Sequence, residues 1–167
     1  MKPVIVAALV LIGGAGSASA EDAFLAKLAG AWTGRGTMQT SPEAAPERVY
    51  CKIENTLADN GETLRQAGRC SLASNSGPID GTIAAMGSNL YGGELASLAS
   101  RGPAEIAGSL NGGRLELNAD FVDTLDGKPA RSVIAIDFVS NGYRLTSTRT
   151  DPKTGAPYTA SEIIFSK

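Results

Sequence analysis

The chain has 167 residues, with 15 Lys and Arg against 17 Asp and Glu and a formal net charge of −2 at pH 7. It has no basic run, so it lacks the electrostatic footprint of a nucleic-acid or anionic-membrane binder. It also has no histidine, which removes Ser–His–Asp catalysis, His-ligated zinc and His-ligated haem together.

Met1 and Lys2 precede an apolar run, Val4–Ile12, and small residues lead on to Ser17-Ala18-Ser19-Ala20. This is the pattern of a secretory signal peptide over residues 1–20, with cleavage expected before Glu21. The apolar run is far short of the ~20 residues a membrane-spanning helix needs, and no other segment reads as a transmembrane helix. The expected protein is therefore periplasmic or secreted. Residues 21–167 are read as a single domain, large enough for a real core. In an oxidising compartment its two cysteines, Cys51 and Cys70, are expected to pair.

The mature chain opens with Asp22 followed by Phe24, Leu25 and Leu28. A capping residue and an apolar face at helical spacing predict one or two helical turns ending near Gly30. After that the pattern is β. Short alternating runs separated by turn residues, about 8–12 residues apart, suggest a sandwich or barrel. Strands are expected over 31–39, 48–58, 63–72, 79–86, 104–110, 114–122, 131–139, 143–150 and 158–165. The segment 89–100 is ambiguous: Tyr91-Gly92-Gly93 reads as a turn, while Glu94–Leu98 reads as a short strand or one helical turn. Short connections make sequence neighbours antiparallel neighbours.

One hairpin can be read in detail. Asn60-Gly61 suits a type I′ turn, whose two central residues need positive φ. With those two at the tip, Cys51 falls directly opposite Cys70, and Val49, Cys51, Ile53 and Leu57 share a core face. A two-residue loop sets the cysteines at a hydrogen-bonded site, with Cα atoms ~5.5 Å apart. Asn141-Gly142 reads as a second turn, which sets Phe138 opposite Leu145 and puts Ile134, Ile136 and Phe138 on one inward face. In that register Arg149 shares the face of Leu145 and points inward.

Asp120, Asp123 and Asp126 form the densest carboxylate cluster. It could hold Ca²⁺, though a solvated strand end leading into the Asp126-Gly127 turn is the plainer reading. No metal site, cofactor or catalytic residue is assigned, and no Gly-x-Ser-x-Gly elbow is present.

Gly30-Ala31-Trp32, just after a short helix and at the start of the first strand, resembles the Gly-x-Trp signature of lipocalins and the wider calycin superfamily. The resemblance implies a closed antiparallel up-and-down barrel of about eight to ten strands, with a short N-terminal helix. It also implies that Trp32 closes one end against an arginine, for which Arg144 or Arg149 is the candidate. A similar Trp-bearing strand and single disulfide occur in small periplasmic inhibitors of secreted metalloproteases. Nitrobindin-like barrels share the start too, but they hold haem through His.

Two functions follow as expectations. In the first, the barrel holds a small apolar or amphipathic ligand, with Arg149, Ile134, Ile136, Phe138 and Leu145 as candidate contacts. In the second, the protein acts through its outside, as an envelope interaction module or protease inhibitor. Neither is enzymatic.

Overall fold

The computed structural model describes residues 22–167; the expected signal peptide and its cleavage site lie outside them. Helix α1 (Ala23–Leu28) starts where Asp22 Oδ1 accepts the backbone N–H groups of Phe24 (3.0 Å) and Leu25 (2.9 Å). That caps donors the first turn leaves free. Its apolar face of Phe24, Leu25 and Leu28 is buried.

Ten strands follow: β1 (Gly30–Met38), β2 (Glu47–Ala58), β3 (Thr63–Ser71), β4 (Ser76–Ala85), β5 (Leu90–Ala96), β6 (Ala104–Asn111), β7 (Arg114–Val122), β8 (Pro129–Val139), β9 (Gly142–Thr150) and β10 (Pro157–Ser166). Each pairs antiparallel with the next, and β1 closes on β10. The result is an all-β, up-and-down closed barrel, the barrel alternative of the two that alternation and turn spacing allow and the topology that the Gly-x-Trp resemblance implies, and closure leaves no edge strand exposed.

The ambiguous segment supplies β5. Tyr91-Gly92-Gly93 is not a turn: the glycines sit in mid-strand, where a Cβ on Gly93 would stand 2.1 Å from the Thr82 carbonyl oxygen. Close strand approach, not chain reversal, explains that glycine. Gly142 misleads in the same way. A Cβ there would stand 1.8 Å from the Phe165 carbonyl oxygen, and Gly142 pairs with Val139 inside the sheet. The turn therefore falls on Ser140-Asn141. Phe138 faces Tyr143 instead of Leu145, and Leu145 faces Ile136. The slip is by an even number of residues, so the inward face is unchanged.

The β2–β3 hairpin has the expected register. Cys51 pairs with Cys70 and the two form a disulfide. The loop is longer than expected, however. Asp59 (φ 52°) joins Asn60 (φ 57°) and Gly61 (φ 89°) in the left-handed region, and ladder pairing begins at Ala58 and Thr63. The cysteine Cα atoms are 4.1 Å apart, the close spacing of a non-hydrogen-bonded pair and not the expected hydrogen-bonded one. One extra loop residue on each side shifts the bonding alternation without changing which side chains face in.

The inward side chains divide the barrel into two halves. At the helix end the interior is filled. Phe24 packs edge-on to Phe138 (centroids 5.1 Å) and lies 6.1 Å from Tyr91, while Trp32 packs edge-on to Tyr143 (5.0 Å). Leu25, Leu28, Leu64, Leu115 and Leu117 are fully buried among them. At the far end the inward positions carry small residues: Ala104 on β6, Ala119 on β7, Ser132 on β8, Ser147 on β9 and Ser161 on β10. In an up-and-down meander all of these meet at one end.

Candidate functional site

The closed end fixes what the open end can be. The Leu28 carbonyl, at the last residue of α1, accepts from Trp32 Nε1 (2.7 Å) and from Asn55 Nδ2 (2.8 Å), and Asn55 Oδ1 accepts from Gln66 Nε2 (3.2 Å). At the other end of the helix, Asp22 Oδ2 accepts the Tyr91 hydroxyl at 2.9 Å. Burial, and then the Asp22 carboxylate, push ionisation of the Tyr91 hydroxyl up; burial does the same to Tyr143. The helix is thus a bonded plug, and access to the interior lies opposite it.

There the small inward residues leave a cavity of about 310 Å³, a size typical of small-molecule pockets. Its floor is Phe165, Ile163 and Ile53, and Leu145 and Ile134 form part of the wall. A β-bulge in β10 between Thr159 and Ser161 turns both Ala160 and Ser161 into the cavity, where regular alternation would allow only one. The rim is braced. The loops after β5 and β7 join through Thr124 N–H to the Ala99 carbonyl (3.1 Å), Arg101 N–H to the Val122 carbonyl (2.8 Å) and a bridge between Ser100 and Asp123. Elsewhere on the rim, between the start of β2 and the β3–β4 loop, Glu47 accepts both the backbone N–H (3.0 Å) and the hydroxyl (2.8 Å) of Ser74.

Arg149 points into this cavity, but it is not free. Its guanidinium pairs with Asp123 and lies 5.4 Å from the centroid of the Phe121 ring. Asp123 is itself held by the Leu125 N–H (2.8 Å), and its own N–H donates to the Lys128 carbonyl (2.9 Å).

The sequence candidates therefore separate. Arg149, Ile134 and Leu145 meet at the cavity. Ile136 lies in the packed interior, and Phe138 lies against the helix with Lys27 Nζ 5.5 Å from its ring centroid. Arg149 is not the cation over Trp32, because the two stand at opposite ends of the barrel. Arg144 is not either: it sits in register with Asp137 and Ile164 on the outer face of β9. The cation there is Lys167, 4.8 Å from the indole centroid and beside Gly30.

Asp120, Asp123 and Asp126 are split among three partners. Asp120 is bidentate to Arg131 (2.7 and 3.0 Å), whose bonds hold its carboxyl below the usual range. Asp123 turns inward to Arg149. Asp126 accepts the Lys128 N–H (3.0 Å), which lowers its pKa likewise. Among the described residues no cluster of three or more His, Cys, Asp or Glu is placed to hold a metal ion.

No protein-family model matches this chain, and no curated protein matches it. The barrel, its helix at one end and the Gly30-Ala31-Trp32 start are consistent with a calycin-like fold.

Proposed function

We propose that this protein binds a small apolar or amphipathic molecule in the open-end cavity, acts by binding and not by catalysis, and works outside the cytoplasm as a lipocalin-like carrier. The carrying observation is the cavity itself. Small side chains at one end of five consecutive strands leave a volume over an apolar floor while the opposite end is sealed. The Cys51–Cys70 disulfide and the leader-like residues 1–20 support export to the periplasm or beyond.

The test is titration with N-phenyl-1-naphthylamine, a neutral dye whose fluorescence rises in apolar surroundings. Saturable binding at one dye per chain is expected. Filling the cavity with Ala119→Phe weakens it by about tenfold or more, because the dye and the new ring compete for one space. Unsaturable binding, or binding indifferent to Ala119→Phe, overturns the proposal.

A second reading, contact with a protein partner in the envelope or protease inhibition, draws on Met86 (69% exposed) and Leu90 (51% exposed), which project together from the β4–β5 hairpin. It becomes the better reading if no dye enters the barrel.

A further inference from the structure

We infer that the cavity selects a neutral amphiphile, a molecule with an apolar body and uncharged hydroxyl or carbonyl groups along one side, over a carboxylate of the same length. This inference rests on the cavity-binding reading above and adds the chemical class of the ligand.

The two sides of the cavity differ. Along β2 to β6 the lining is mainly apolar, with Ile53 from β2, Ile79 from β4, Leu95 from β5 and Ala104 from β6, and Gln66 of β3 is the amide among them. Across β8, β9 and β10 three hydroxyls, from Ser132, Ser147 and Ser161, stand among the apolar side chains of Ile134, Leu145 and Ile163. Ser147 stands directly opposite Ser161, and Ser132 stands opposite Arg149. Ser132 and Ser161 are only 6% and 5% exposed, yet both line the cavity. A hydroxyl both donates and accepts, so three of them suit alcohol, ester or glycerol oxygens without demanding charge.

Charge points the same way. The ionised side chains lining the cavity are Arg149, Asp123 and Glu47. Arg149 is already paired with Asp123, and Glu47 is held at the rim by Ser74. The lining thus offers no unpaired cation to an entering anion. A ligand carboxylate would have to displace Asp123 from Arg149 or lie desolvated beside two other carboxylates.

The experiment is displacement of N-phenyl-1-naphthylamine by decanoate, 1-decanol and 1-monodecanoylglycerol, each below its micellar concentration, at about pH 7.5 where the acid is ionised. In the native protein the two neutral compounds compete at concentrations about tenfold or more below decanoate. Greater oiliness alone would favour decanol in any apolar pocket, so variants decide the cause. Asp123→Asn frees Arg149 and raises decanoate affinity about tenfold relative to decanol. Ser147→Ala with Ser161→Ala weakens monodecanoylglycerol more than it weakens 1-decanol or the dye.

Decanoate competing as well as decanol in the native protein overturns the inference and leaves the cavity reading intact. So does an unchanged preference in both sets of variants. If Asp123→Asn does not fold, the serine variants decide alone. Failure of the dye itself to bind removes the cavity reading, and the inference with it.

Discussion

Replacing Arg149 with methionine lowers the stability of the oxidised protein by about 3–5 kcal/mol. The size follows from what is left behind. The Asp123 side chain is only 7% exposed and that of Arg149 17%, so removing the guanidinium strands a carboxylate that water barely reaches. Asp123 also organises the rim, through the Leu125 N–H, the Lys128 carbonyl and the bridge to Ser100. A carboxylate drawn towards water therefore loosens both loops at the mouth. Removing the charge as well, in Arg149→Met with Asp123→Asn, recovers most of the loss, because the stranded ion and not the missing contact dominates it. Urea denaturation followed by the fluorescence of Trp32, the single Trp in the chain, reads all three proteins. A loss below about 1 kcal/mol in Arg149→Met, the range of exposed ion pairs, contradicts this account of the rim.

Trp32→Ala is expected to cost a similar amount, about 3–5 kcal/mol, for a different reason. The indole fills the space between Tyr143 and Lys167 and donates to the Leu28 carbonyl. Its loss opens a void at the closed end and leaves Asn55 as the remaining side-chain donor to that carbonyl. Trp32→Phe keeps much of the packing, and the lost hydrogen bond alone costs about 1 kcal/mol. Urea denaturation followed by far-UV circular dichroism gives both values, since the fluorophore is gone. Equal losses for the two variants would mean that the hydrogen bond, and not the filled volume, holds the plug.

Much of the barrel was legible in the sequence because its signals are local. Alternation marks the strands, Asn60-Gly61 marks a chain reversal, and the register that turn imposes brings Cys51 to Cys70. What misled was glycine serving a non-local need. Gly93 and Gly142 look like turn residues, but they make room for the backbone of a neighbouring strand, and nothing near them in sequence announces that neighbour. Arg149 could be turned inward by parity alone. Its partner Asp123 could not be found that way, because it lies just past β7, two strands away across the barrel wall. Asn55 sits on the core face where alternation puts an apolar residue; its amide bonds the end of a helix that precedes it by 27 positions. The cavity leaves its own trace in the sequence. Ala104, Ala119, Ser132, Ser147 and Ser161 are small inward residues on five consecutive strands, which in a meander line one half of the barrel. Lys167 over Trp32 had no sequence signal beyond its charge.

The most direct test of the central claim, that the barrel takes a ligand at its open end, is a methyl-resolved NMR titration of the oxidised protein with 1-decanol. The account predicts saturable shifts at the methyls of Ile53, Ile79, Leu145 and Ile163, which line the cavity, and small ones at Leu25, Leu28, Leu115 and Leu117, which fill the closed end. Shifts confined to outer residues such as Met86, Leu90 and Ile164, or none at all, would contradict it.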